Sequence, residues 1–524
     1  MRKRHHIFDS LLIATFIAGL VLPLVAMHNK DVSTIEKRKL APFPELKWGR
    51  KALATFPSRF EAFFKDHFGF RDLLAQLYSE SSLMLQSSSN PNVLIGKDDW
   101  LFYINPADGN SLEDYRKNDP LTPEELQQWR TALEARYVWF KQQGIQYLFV
   151  VAPDKHSIYG EYFPSRIRRA GTQSRLDQLL AFMHDSDVPM LDLRPSLIQA
   201  KSQGLLYLKT DTHWNALGAG VAQYAIMEQL SKHNPSLHPI NYRAEVFSSL
   251  EHSGGDIANM LSLSSRLKEM SPQLYKPLSI CNRQFLEEGP DSGPLSPFFT
   301  DCRADAPKAL IFRDSFFEAL LPYISPYFSK TLYVWKWPDF NQLEQYLGHQ
   351  TPDIVIEERV ERSLKAVPAL PTPRHKAYRV FFEGWFQTGA VVYQIDEHGQ
   401  DELTGRHQLA IIPARQSYVL RSQGKDPFFL LPEFKIDRAM QYIMKIILTA
   451  PQATSWQVFY GTVQQRQYNE THSVSGQLQA GENTFYVVLD DKDLQGQIRV
   501  DPGMVEGEYE LKSLEIRAVR RKGG

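Results

Sequence analysis

The sequence predicts an α/β fold, a mostly parallel sheet covered by helices, followed by a separate β-sandwich. Three observations predict it. Short apolar runs at 145–152, 190–193, 309–312, 331–334 and 354–357 are separated by longer stretches, two of which (174–184 and 215–232) read as helices. From 378 onward the grammar changes to short β-rich runs, such as Tyr418-Val419-Leu420 and 484–489, broken by turn residues. The chain has 524 residues, too many for one core, so two or three domains are expected.

Taken in order, Arg2-Lys3-Arg4 precedes an apolar run over 11–27, interrupted only by Thr15, Gly19 and Pro23. Basic residues before such a run keep the N-terminus inside, so 1–30 reads as an uncleaved transmembrane anchor with the rest of the chain exported. A cleaved signal peptide is the competing reading, but Leu24-Val25-Ala26-Met27 lacks a clean small-x-small site. Residues 28–50 read as a linker broken by Pro42 and Pro44, and the aromatics of 56–80 recur at helical spacing, as core residues would. Thr122-Pro123-Glu124-Glu125 spells a capping box that opens a helix ending at Gly144, before the strand 145–152. Helix 174–184 leads to strand 190–193, and helix 215–232 follows. Residues 240–305 read as an irregular insertion within an α/β domain of 31–370. After Pro368, Pro371 and Pro373 the sandwich occupies 376–524.

The formal net charge is −1, which gives no electrostatic reason to expect nucleic acid. Cys281 and Cys302 are the two cysteines of the chain. Export to an oxidising compartment favours a disulfide between them over two buried thiols, and two cysteines exclude a thiolate zinc site.

Chemistry concentrates at Asp211-Thr212-His213-Trp214. In an extended segment residues i and i+2 share a side, so the Asp211 carboxylate can hold one nitrogen of His213 and free the other as a base. No third or fourth ligand is evident nearby, so neither metal nor cofactor is expected. Ser315 lies where the strand 309–312 turns into a helix, near free helix N-terminal amides that can hold an oxyanion. Against this stands the plainer reading that Asp314 or Ser315 caps that helix. Gly254 and Gly255 are candidate oxyanion donors or simple turn residues. Lys155 reads as solvated, and Trp385, Trp456 and Tyr460 as sugar-stacking candidates or core.

Several separated blocks resemble the alginate O-acetyltransferase family, the AlgX/AlgJ-like proteins with an SGNH-hydrolase-like domain. They are Asp66-His67-Phe68-Gly69-Phe70-Arg71, Asp99-Trp100-Leu101-Phe102-Tyr103, Val151-Ala152-Pro153-Asp154-Lys155, Thr210-Asp211-Thr212-His213-Trp214 and Arg313-Asp314-Ser315-Phe316. The resemblance implies an SGNH-like sheet and a triad of Asp211, His213 and Ser315. It also implies O-acetyl transfer through an acyl-serine to an exported polysaccharide. A membrane-bound O-acyltransferase would supply the acyl group, and the enzyme would sit at the bacterial inner membrane with its catalytic domain in the periplasm. The C-terminal sandwich resembles the carbohydrate-binding β-modules that accompany such domains. The Gly usual before the Asp-Ser or Thr-Ser pair is Arg313 here. Two other functions fit the same residues: a carbohydrate esterase using water as acceptor, and a non-catalytic glycan-binding scaffold.

Overall fold

Side-chain alternation along the central strands divides the α/β core in two. Leu148, Val150, Ile311, Ile354 and Ile356 point into one apolar cluster, while Tyr147, Phe149, Val151, Leu310, Phe312 and Val355 point into the other. Both faces are covered, so each strand is apolar throughout rather than alternating with polar residues. In this computed structural model the described residues are 2–520, except 28–29, 34–37, 47, 277, 279–280, 287–294, 304, 372–374, 396–402, 490 and 492. Pro373 and the side chains of Arg2-Lys3-Arg4 lie outside them.

The sheet runs in the order Met190–Asp192, Gln146–Ala152, Ile354–Val360, Ala309–Phe312, Lys330–Val334, Phe298–Asp301, Asn282–Phe285. The first five strands are parallel, and the last two add an antiparallel edge. That edge comes from the segment read as irregular, 240–305, which also holds the hairpin of Phe247–Ser253 with Lys268–Leu274. Asn282–Phe285 is polar and exposed, and Phe298–Asp301 has only two apolar residues before Thr300 and Asp301, so neither shows the apolar run that marks a central strand. Cys281 and Cys302 are joined in a disulfide with Cα atoms 5.1 Å apart, at the ends of the paired edge strands.

Helix Pro123–Gln142 begins with the capping box read from sequence. Thr122 Oγ1 accepts from Glu125 N, and Glu125 accepts from Thr122 N. Helix Ala216–Ser231 is capped by Asn215, whose side chain accepts from Leu217 N and Gly218 N. After Ser363 the chain does not enter a sheet at once. Residues Lys376–Gln387 form a helix whose Phe381, Phe382 and Phe386 pack in the same cluster as Trp139 and Phe140 on one side and Ile443, Tyr486 and Val519 on the other. The β-rich region follows as a six-stranded and a five-stranded sheet. Trp456 is buried between them, stacked on Phe485 at 4.4 Å, which is a packing role. Trp385 and Tyr460 are half-buried.

Two N-terminal expectations are corrected. The helix Arg2–Val25 contains Pro23, and its uncharged stretch after Asp9, 10–25, rises only roughly 24 Å against a hydrocarbon core of about 30 Å. Among the described residues no helix is long and apolar enough to cross a membrane, so the anchor read over 1–30 is not borne out. The aromatics of 56–80 are not core either. They sit on helices Arg50–His67 and Arg71–Met84 and on the turn between them, where Phe60, Tyr78 and, in the turn, Phe70 are exposed. Helical spacing put them on shared faces, but the cover is partial: Phe43 packs on Phe60 and Phe63 at 6.1 and 5.1 Å and still leaves Phe60 exposed.

Candidate active site

Ser315 follows the strand Ala309–Phe312 at the carboxyl edge of the sheet. Asp314, not Ser315, is the cap of the helical turn: its Oδ1 accepts the Phe316 N–H at 2.9 Å and its Oδ2 the Val360 N–H at 2.7 Å. The turn Ser315–Leu320 is a 3-10 helix that runs into Leu321–Ile324, so the helix expected from 316 is tighter and shorter. Capping by Asp314 leaves the Ser315 hydroxyl to another partner. Its Oγ lies 2.8 Å from His213 Nε2.

On the far side of the ring, His213 Nδ1 is 2.8 Å from Asp211 Oδ1. The Nδ1–H donates to the carboxylate, so Nε2 is left to accept the serine proton. The sequence pairing is therefore present, but not through an extended strand. Asp211 Oδ1 also accepts the His213 backbone N–H at 2.9 Å, which is an Asx turn. The segment belongs to a loop closed by a lone bridge between Tyr207 and Trp214 and is no part of the main sheet. Trp214 Nε1 donates to Phe316 O at 3.0 Å, fastening the histidine loop to the serine turn.

The electrostatics favour a charged pair. Burial alone would raise the Asp211 carboxyl, but hydrogen bonds from His213 and the His213 charge hold it well below the usual carboxylate range. Burial alone would lower His213; the Asp211 hydrogen bond and the charges of Asp211 and Asp256 outweigh it and raise the imidazole above its ordinary value. Burial, and then the Asp211 charge, pushes Asp256 up.

Asp256 is the carboxylate that sequence reading missed, although it directly follows the quoted glycine pair. Its Oδ2 lies 3.6 Å from His213 Nδ1, its Oδ1 accepts the Thr212 N–H at 2.7 Å, and it accepts the Thr212 hydroxyl. Its own N–H donates to Asp211 Oδ2 at 3.1 Å. Ligand atoms of Asp211, His213 and Asp256 lie within 4.8 Å of one another, the one group among the described residues that could hold a metal ion. Nδ1 already gives its proton to Asp211, so a metal there would have to displace that proton.

Gly254 and Gly255 are not oxyanion donors. The Gly254 N–H goes to Ser264 O and Leu267 O, and the Gly255 N–H to Thr210 Oγ1 at 2.9 Å. Their place is behind Asp211: a Cβ on Gly255 would lie 2.3 Å from Asp211 Oδ2. The Ser315 N–H, by contrast, has no hydrogen-bond partner among the described residues and remains a candidate oxyanion donor.

Lys155 is not solvated. It is 4% exposed, and its Nζ donates to the carbonyls of Leu208 (3.2 Å), Lys209 (2.9 Å) and Asp211 (2.6 Å). Arg313, where the resemblance leads one to expect a glycine, lies over Trp335 at 4.5 Å and pairs with Glu318 at 2.9 Å. Arg362 pairs with Asp154 at 2.6 Å and lies 5.6 Å from the Phe316 ring, a cation at the rim of the site.

A nucleophile, a base and an orienting carboxylate in this order suit acyl transfer. A family model described as the SGNH hydrolase-like domain of acetyltransferase AlgX matches residues 93–287, which hold Asp211, His213 and Asp256. Residues 93–287 are thus similar to that domain. The probable alginate O-acetylase AlgJ of Pseudomonas aeruginosa is 29% identical over 266 residues, 50% of this chain and 62% of that protein. The chain thus spans about three-fifths of the length of that curated relative. Among solved structures, the O-acetyltransferase domain of Pseudomonas putida AlgJ is 19% identical, covering 56% of this chain and 99% of that one at a TM-score of 0.35. Pseudomonas aeruginosa AlgX is 13% identical, covering 85% of this chain and 98% of that one, also at 0.35.

Proposed function

We propose that this protein is a polysaccharide O-acyltransferase, with acetyl as the acyl group, working through an acyl-serine at Ser315. The observation that carries the reading is the unbroken chain from Asp211 through His213 to Ser315, two contacts of 2.8 Å each. His213 Nε2 takes the Ser315 proton as Oγ attacks the acyl carbonyl, and Asp211 stabilises the imidazolium that forms. The Ser315 N–H faces the developing oxyanion. His213 returns the proton to the leaving group, then serves again as base for a sugar hydroxyl that takes the acyl group from Ser315.

Similarity to the alginate O-acetylases supports an exported polysaccharide as acceptor. The reading includes a periplasmic site of action, acyl supply by a membrane-bound O-acyltransferase, and a division into an acyltransferase domain over 31–370 and a second domain over 376–524, in which a β-sandwich follows the helix Lys376–Gln387.

The acceptor is tested by following release from an activated acetyl ester with and without added oligosaccharide. Release accelerated by the oligosaccharide, with acetyl recovered on sugar hydroxyls, is expected. Release to water at the same rate in both would make the protein an esterase.

A further inference from the structure

We infer that Lys155 is a positioning residue for the triad, an ammonium anchor that sets the Asp211 loop against His213. The inference rests on the reading of Asp211, His213 and Ser315 as a triad.

Lys155 opens the short helix Lys155–Ile158, just beyond the central strand Gln146–Ala152. That strand is among the most deeply buried elements of the molecule, so its end is a fixed point. An ammonium has three N–H donors and no acceptor. Here Leu208 O, Lys209 O and Asp211 O, three carbonyls of one four-residue stretch, receive them. The Nζ also lies 5.6 Å from the Trp100 ring and 5.4 Å from the Phe102 ring. A buried charge is tolerated only when its donors are all satisfied, and no carboxylate lies within ion-pair distance of this one among the described residues. The loop carbonyls replace its water shell, and the carboxylates of Asp211, Asp256 and Glu269 favour its charge from beyond ion-pair distance.

The rest of the loop is held from the opposite side. Glu269 accepts the N–H groups of Lys209 (2.7 Å) and Thr210 (3.2 Å), and Ala258 N donates to Thr210 O at 3.1 Å. Among the described residues the carbonyls of Leu208 and Asp211 have Lys155 as their partner and no other. The Asp211 carbonyl is fixed by Lys155 while its side chain is fixed by the Asx turn and by Asp256 N. Removing the ammonium frees the backbone that aims the carboxylate at Nδ1, without touching His213 or Ser315.

The test uses the full chain and a serine-reactive sulfonyl fluoride, following the rate of Ser315 modification against pH. Lys155→Met is expected to slow labelling at least tenfold, and Lys155→Gln, which keeps two N–H donors, by less. The rising limb of the profile should move to lower pH, because a displaced Asp211 no longer raises His213. Loss of positive charge alone would move that limb upward, so the sign separates positioning from simple electrostatics. In an Asp211→Asn background Lys155→Met should add less than a twofold effect, since both act through one carboxylate. Unchanged labelling, an upward shift of the limb, or losses that multiply in the double variant would each overturn the inference. If Lys155→Met does not fold, Lys155→Gln is read by the same three measures. Failure of wild-type Ser315 to label at all would instead count against the triad.

Discussion

Asp211 fixes which nitrogen of His213 carries the proton, and that choice sets the pH at which the serine becomes nucleophilic. His213 must be neutral to accept from Ser315, and its partners raise it above its ordinary 6.5. The rising limb of Ser315 labelling should therefore have its midpoint above pH 6.5. Asp211→Asn removes the largest raising influence, so the midpoint falls, while the rate drops by about 10³–10⁴ because the amide no longer selects the tautomer. Asp256→Asn should move the midpoint the same way by a smaller amount. A midpoint unchanged in both variants would contradict this account of His213. At this scale Asp211, His213 and Ser315 were legible because residue type and spacing carry their chemistry. Asp256 and Lys155 were not, since their roles depend on contacts across 45 and 56 residues that no local pattern encodes.

The elements that deliver those residues are loops and turns braced by the sheet. Gly255 shows how tight the bracing is. An added methyl would sit 2.3 Å from the Asp211 carboxylate, so Gly255→Ala must push the carboxylate away or shift the loop. Labelling of Ser315 should slow at least tenfold while the melting temperature changes little; a variant labelled at the wild-type rate would show that Asp211 has room to spare. The central strands were readable because strands covered on both faces are continuous apolar runs. The outermost strand Asn282–Phe285 was not, because an edge strand can be polar and short, and its inner neighbour Phe298–Asp301 offers only Phe298 and Phe299 before turning polar. The Asp-x-His pairing was anticipated from strand geometry, yet an Asx turn produces it. Both conformations place i and i+2 side by side, so the sequence alone does not tell them apart.

Across the whole molecule, the helix Lys376–Gln387 links the α/β core to the β-rich region through its phenylalanines and through Glu383. Burial would raise the Glu383 carboxyl, but Lys445, Tyr486 and Gln387 outweigh it and hold it down to about 2. A depressed carboxylate adds stability above its unfolded value near 4.5, and that stability is lost as pH falls toward 2. Glu383→Gln should thus cost about 1 kcal/mol at pH 6, after discounting for the pair's exposure, and close to nothing near pH 2. Urea unfolding at the two pH values reads the difference; an equal cost at both would assign Glu383 a role in packing alone. The change from α/β to β-rich grammar was visible in the composition of the runs. The linking helix was not, because its aromatics are equally good strand formers. The exposed rings of Arg50–His67 and Arg71–Met84 mark the limit of periodicity, which groups residues on a face without saying what covers it.

Everything proposed for this site turns on Ser315 taking the acyl group. Intact mass and peptide mapping after incubation with an activated acetyl ester test it directly. One acetyl adduct on Ser315 is predicted in the wild-type chain, absent from both Ser315→Ala and His213→Ala while their folds persist. Turnover of the ester that survives in Ser315→Ala at the wild-type rate, or an adduct placed on another residue, would contradict the account.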